Sequence, residues 1–313
     1  MTNINATNSK NFFFHICAHL CAVLLMTILL SACRSSTPAT LAQLPSHYVH
    51  AADCQVHYKT CGDGDVAVLF VHGFGCDMNA WEKQYEAFRD NDSLRFIFID
   101  LPGFGKSDKP HADYTLDYFA QAVEQVLQAE QVEEAVLVGH SLGTPVCLWT
   151  ARRGNVSVAA LCDVDGVYCL YPEDTVAAAL YEQAVQGFAA SFCGGDVRQN
   201  ITDFVHSLAG PATPQEITDY ALSTMPNTPD YVACSTMSHL IEHRYWDTWK
   251  PLTIPALVVC TENSGIEADN HEQMRRFYAE MDYWQLDTCG HFIAWEQAEA
   301  FNQRLRQLLS AIR

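Results

Sequence analysis

Positive charge is scarce in this chain. It has 18 Lys and Arg against 37 Asp and Glu, a formal net charge of −19. That balance would repel a polyanion, which argues against nucleic-acid binding and disfavours electrostatic attachment to anionic headgroups. No C-x-x-C pair occurs, so the spacing of a zinc ribbon or of a thioredoxin-type redox site is missing. Internal repeats and low-complexity tracts are missing as well. What is present is a globular composition: 313 residues, 49% hydrophobic and 18% charged. Disorder and fibrous structure are thereby set aside, and the length allows a sizeable core in one large α/β domain or two smaller ones.

The first 32 residues read as a targeting segment. Residues 1–11 are polar with one cation, Lys10, and residues 12–32 are apolar apart from His15, His19 and small polar residues. The run ends in Leu30-Ser31-Ala32-Cys33. A basic start, an apolar stretch and small residues at the break form an export signal or membrane anchor. The four-residue ending resembles a bacterial lipobox, which would make Cys33 the acylated mature N-terminus, anchored in the cell envelope. An uncleaved signal anchor and ordinary secretion are the alternatives, and all three place the domain outside the cytoplasm. Residues 33–46 are expected to be a tether without structure of its own.

Thirteen cysteines less Cys17, Cys21 and Cys33 leave ten in the mature body, an even number that suits a disulfide-permissive compartment. Cys54 and Cys61 are the best candidates for a local bridge. Cys147, Cys162 and Cys260 fall in apolar patterns and are expected to be buried thiols.

From residue 47 the chain alternates strand-like and helix-like segments. Apolar runs at 66–71, 95–100, 134–139, 158–165 and 255–260 have the near-continuous hydrophobicity of strands covered on both faces. Leu116, Phe119, Ala120, Val123, Val126 and Leu127 make one helical stripe. The alternation predicts an α/β fold, a mostly parallel doubly wound sheet. It breaks between 167 and 250, where helical composition and many aromatics predict an inserted cap. The core is then 47–166 plus 251–313.

Three motifs carry chemistry. Gly139-His140-Ser141-Leu142-Gly143 follows an apolar run and precedes a helical segment, the context in which a serine on a sharp turn is displayed above a sheet. Val71-His72-Gly73-Phe74-Gly75 follows another strand, and its loop can aim a backbone N–H at a developing oxyanion. Gly290-His291-Phe292 lies near the C-terminus. With the DLPGFGKSD stretch at 100–108, these motifs resemble the α/β-hydrolase superfamily, from about residue 47 to 313. The resemblance implies an eight-stranded mostly parallel sheet with a helical cap, Ser141 as nucleophile and His291 as base. It further implies an oxyanion hole from the amides of Phe74 and Leu142, and no cofactor or metal.

One position departs from that pattern. Where such proteins usually place the acid in G-x-x-D after the strand at 255–260, this chain reads Thr261-Glu262-Asn263-Ser264-Gly265. A serine cannot balance an imidazolium, so another carboxylate must serve. Asp165, at the end of the preceding strand, is preferred, with Glu262 second and Asp269 third. His72 is expected to brace the oxyanion loop, and Asp100 and Asp108 to fix loops. His239-Leu240-Ile241-Glu242-His243 matches a zinc signature, but a helix of the cap explains it better. The sequence thus predicts an exported serine hydrolase of the carboxylesterase type (EC 3.1.1), acting on a mainly apolar small-molecule ester. Thioesterase, lactonase and C–C hydrolase chemistry, and a non-catalytic surface-anchored binding protein, are the rivals.

Overall fold

The computed structural model describes residues 40–91, 93–168, 172–242, 250–262 and 271–312. Eight strands form one sheet: β1 His47–Ala51, β2 Cys54–Cys61, β3 Val66–Val71, β4 Leu94–Ile99, β5 Glu134–His140, β6 Ser157–Val164, β7 Ala256–Thr261 and β8 Asp282–Leu286. Their spatial order is β1-β2-β4-β3-β5-β6-β7-β8. β1 and β2 pair antiparallel at one edge, and every pairing from β4 to β8 is parallel.

The central strands are apolar throughout because both faces are covered. In β3, Ala67, Leu69 and Val71 belong to one core cluster, whereas Val68 and Phe70 belong to the other. Strand alternation therefore splits a single run between two cores. On the first side lie α2 (Leu116–Ala129) and α3 (Gly143–Arg153). Thr115 caps α2 by accepting a hydrogen bond from the Tyr118 amide, and the helix buries the predicted stripe. On the other side pack α1 (Glu82–Phe88) and the C-terminal α10 (Ala298–Ala311), the latter through Phe301, Leu305 and Leu309.

Four helices intervene between β6 and β7: α4 Thr175–Ala190, α5 Val197–Leu208, α6 Gln215–Thr224 and α7 Asp230–Glu242. Asp174 and Asp196 cap α4 and α5 through their carboxylates. α5 buries Val197, Ile201, Val205 and Leu208 along one face. Short helices α8 (His271–Met274) and α9 (Ile293–Glu296) flank β8.

Two expectations need correction. Cys54 and Cys61 are free thiols, because they stand at opposite ends of β2, an extended strand that holds them far beyond bonding distance. The disulfide among the described residues joins Cys193, just past α4, to Cys234 in α7, so it staples the cap. The supposed tether is also ordered in its last part. Residues 41–43 form a 3₁₀ turn, Leu41 is fully buried and Leu44 nearly so. The Leu41 amide donates to the Glu82 carboxylate, and the buried Lys59 ammonium donates to the carbonyls of Leu41 (3.1 Å) and Ala42 (2.6 Å). A leucine pair in a polar stretch is too short to show periodicity, so composition alone hid this docking. Cys147, Cys162 and Cys260 are buried and free. Cys33 lies outside the described residues.

Truncating Leu41 to Ala should cost about 2–5 kcal/mol, the range for a fully buried leucine. Urea unfolding of the full chain measures it, and a change near zero would restore the tether reading of residues 40–46.

Candidate active site

β5 ends at His140, α3 begins at Gly143, and Ser141 occupies the turn between them. Its φ is +53°, in the left-handed region that costs an L-residue about 1–3 kcal/mol. The strain is held by two bonds: the Ser141 amide donates to the Val164 carbonyl, and its own carbonyl accepts from Thr144, both at 3.0 Å. The flanking glycines are sterically required. A Cβ on Gly139 would lie 2.5 Å from the Gly143 carbonyl oxygen, and one on Gly143 would lie 2.3 Å from that of Val71.

His291 Nδ1 and Asp165 Oδ2 are 2.6 Å apart, and both side chains are buried. Asp165 stands immediately past β6 with φ +48°. Its amide donates to the Val259 carbonyl of β7 (2.7 Å), and its Oδ1 accepts the Thr261 amide (3.2 Å). The carboxylate is thus held at the seam of β6 and β7 with both oxygens engaged. An acceptor at Nδ1 fixes the imidazole tautomer and leaves Nε2 as the proton acceptor, the state a general base needs. The second candidate acid, Glu262, is exposed and accepts from Gln285 (2.7 Å), so the structure does not bring it to His291. Ser264 and Asp269 lie outside the described residues.

The loop carrying His291 is clamped from several directions. Its amide donates to the Leu208 carbonyl at the end of α5 (3.0 Å), and its carbonyl accepts from His140 Nε2 (2.9 Å). One residue earlier, the Gly290 amide donates to Glu296 (2.9 Å), and the Cys289 carbonyl accepts the Thr261 hydroxyl (2.6 Å). Burial, with the neighbouring His291 second, pushes the His140 pKa down to about 3, so this ring works as a neutral donor. His140, Thr261 and Leu208 escaped the sequence reading. His140 is the variable letter of its motif, and the other two act through backbone placement that leaves no local signal.

The loop after β3 supplies the remaining part. His72 Nδ1 donates to the Gly73 carbonyl (2.8 Å) and Nε2 accepts the Leu101 amide (3.0 Å), so both nitrogens are spent on bracing. Burial lowers its pKa and keeps it neutral. Asp100 accepts the amides of Met78 (2.8 Å) and Lys106 (2.9 Å), and Asp108 accepts that of Gln55 (3.0 Å). All three residues are loop-fixing, as expected from their positions. Among the described residues, neither the Phe74 nor the Leu142 amide finds a protein acceptor. Both residues line the same cavity as Ser141 and His291.

That cavity, about 400 Å³, lies between the sheet and the cap. The cap contributes Tyr181, Phe188 and Phe204 from α4 and α5, and Met237 and Leu240 from α7. No Asp, Glu, Lys or Arg is found among its described lining residues. No group of three or more His, Cys, Asp or Glu among the described residues is placed to hold a metal ion. His239 Nδ1 is used within α7, donating to the Ser235 carbonyl (2.8 Å), and His243 lies outside the described residues.

Residues 68–304 match the model of the alpha/beta hydrolase family. A dihydrolipoyllysine-residue acetyltransferase component of the acetoin cleaving system from Pseudomonas putida is 29% identical over 262 residues, covering 80% of this chain and 65% of that protein. A 2-hydroxy-6-oxononadienedioate/2-hydroxy-6-oxononatrienedioate hydrolase from Paraburkholderia phymatum is 25% identical over 270 residues, covering 82% of this chain and 91% of the relative. Among solved structures, an esterase from Exiguobacterium antarcticum superposes with a TM-score of 0.74 at 18% identity, over 86% of this chain and 99% of that one. At that identity the likeness is one of fold.

Gly143→Ala should destabilise the protein by about 1–3 kcal/mol, because backbone oxygens leave no room for the methyl group. Gly187→Ala, in open space within α4, should be neutral or gain up to about 1 kcal/mol. Equal unfolding midpoints for the two variants would contradict the close packing at the serine turn.

Proposed function

The chain belongs to the alpha/beta hydrolase family, and on that premise we propose that it is an exported, lipid-anchored serine esterase acting on a mainly apolar carboxylic ester. The observation that carries this reading is the convergence on one cavity of a strained serine, a histidine whose Nδ1 is held by a buried carboxylate, and two backbone amides without protein acceptors.

In the proposed cycle Ser141 Oγ attacks the acyl carbonyl while His291 Nε2 takes its proton. The Phe74 and Leu142 amides stabilise the tetrahedral oxyanion. Collapse breaks the ester C–O bond, and the imidazolium returns the proton to the departing alcohol. Water, deprotonated by His291, then attacks the acyl-enzyme and releases the acid. Asp165 orients the imidazole and balances its transient charge. Every group in the cycle is a side chain or amide of this chain.

The cavity supports the choice of substrate. A dioate of the kind in the name of the Paraburkholderia relative would meet no cation among the described lining residues, whereas an uncharged acyl chain loses no solvation on entering. This favours an ester over C–C cleavage of a dianion. The non-catalytic rival offers no reason to maintain a strained turn at Ser141. Export is supported by the apolar stretch at 12–32 and the Leu30–Cys33 ending, and the cap disulfide suits an oxidising compartment. No described helix is long and apolar enough to cross a membrane, so attachment in this reading falls to the acylated Cys33.

A fluorophosphonate probe should label Ser141 rapidly, and Ser141→Ala should abolish labelling and turnover. Asp165→Asn should lower kcat about 10³–10⁴-fold, as expected when the imidazole loses its orienting anion, while Glu262→Gln should stay close to the parent. Unlabelled but well-folded protein, with no turnover of short-chain esters, would overturn the esterase reading. Separately, Cys33→Ser should eliminate incorporation of an alkynyl fatty acid in bacterial cells, and incorporation that persists would remove the lipid anchor from the proposal.

A further inference from the structure

A second buried carboxyl lies beside the cavity and takes no part in the proposed acyl transfer. Asp163, in β6 two residues before Asp165, is 1% exposed. Its Oδ2 accepts two phenolic hydroxyls, from Tyr168 at 2.7 Å and from Tyr278 at 3.1 Å. The Tyr168 ring lines the cavity and stacks on the buried Phe277, with centroids 4.4 Å apart and planes 23° apart. The turn from Asp165 to Tyr168 runs against the same carboxyl, since a Cβ on Gly166 would come within 2.6 Å of Asp163 Oδ1.

Burying an ionisable group in this way costs stability that an apolar trio would not. Burial pushes the Asp163 pKa up to about 7, with nearby Asp165 adding to the rise and the two tyrosine hydroxyls opposing it. Cys147 of α3 and Cys162 of β6 also stand close to the carboxyl. The arrangement has a clear effect on the cavity. A tyrosine in a pocket wall ordinarily offers its hydroxyl to the ligand, whereas here that hydroxyl is drawn into the core.

We propose that Asp163 is a positioning residue for substrate selectivity: by capturing the Tyr168 hydroxyl it presents the ring as an apolar wall for the acyl chain. The kinetic form of this proposal rests on the ester-hydrolase reading, and the role concerns Tyr168, not the proton transfers at Ser141 and His291. Removing the carboxyl orphans the hydroxyl, which then satisfies itself by turning toward the cavity and making it polar.

The test uses the full chain with Asp163→Leu, Tyr168→Phe and the double variant. kcat and KM are measured on p-nitrophenyl acetate and p-nitrophenyl octanoate. Asp163→Leu should raise the octanoate KM about tenfold relative to that of acetate, roughly one buried hydrogen-bonding group's worth of affinity, with the larger change in KM rather than in kcat. Adding Tyr168→Phe should restore the ratio, because no hydroxyl is left to turn inward, whereas adding Tyr278→Phe should not. Equal losses on the two esters, an effect confined to kcat, or no rescue by Tyr168→Phe would each overturn the proposal. Should Asp163→Leu fail to fold, Asp163→Asn makes the same comparison, its amide replacing one acceptor oxygen by a donor. Calorimetric binding of 1-decanol to the same variants tests the wall without turnover. If Ser141 resists the probe but decanol affinity falls and is rescued as described, the esterase reading fails and this one stands. Labelling at Ser141 with unaltered decanol affinity gives the converse.

Discussion

The hydrogen bond from His291 to Asp165 spans the join between two parallel strands, and most of the site depends on where that join is. Asp165 leaves β6 in a left-handed conformation and is tied to β7 through the Val259 carbonyl and the Thr261 amide. The carboxylate therefore rests on two strands at once, which gives it a fixed direction without any support from the segment that follows β7. The Ser141 amide is anchored to the same strand, through the Val164 carbonyl. Nucleophile turn and acid are thus registered to each other by one strand end. The geometry between them is set by sheet hydrogen bonds, the stiffest connections in the molecule.

His291 reaches this frame from the far end of the chain, and its loop is held by contributions from three layers. The serine motif supplies His140, the strand end supplies Thr261, and the cap supplies the Leu208 carbonyl. The last of these has a consequence for dynamics. The cap covers the cavity and is also one of the supports of the histidine loop, so displacing α5 would loosen the base together with the lid. The disulfide between Cys193 and Cys234 limits such movement by joining the segment after α4 to α7.

Charge is distributed with the same economy. A chain with net charge −19 keeps ionisable side chains out of the described cavity wall, apart from the histidines and tyrosines. Where carboxylates are buried, each has identifiable donors: Asp100 has His57 and two amides, Asp165 has His291 and one amide, and Asp163 has two tyrosines. Burial of these anions is tolerable because the desolvation cost is offset by converging hydrogen bonds.

The apolar runs at 66–71 and 134–139 were legible as strands because burial on both faces writes near-continuous hydrophobicity into a short segment. β1 and β2 were not, since edge strands with one wet face mix His, Gln and Lys into the pattern. The serine turn was readable for a local reason: glycines two residues either side are demanded by backbone oxygens within 2.5 Å of the missing Cβ atoms. The sequence by itself therefore determined the parallel α/β architecture, the serine on its turn and the brace at His72, all products of short-range sterics or periodic burial. It left three carboxylates open for the contact with His291, and only the tertiary structure put Asp165 there and Glu262 at the surface. The fold likewise decided the pairing of Cys193 with Cys234, the docking of Leu41 and the capture of Tyr168 by Asp163. These contacts join segments by the course of the chain through space, and spacing along a sequence holds no record of which distant residues a sheet brings together.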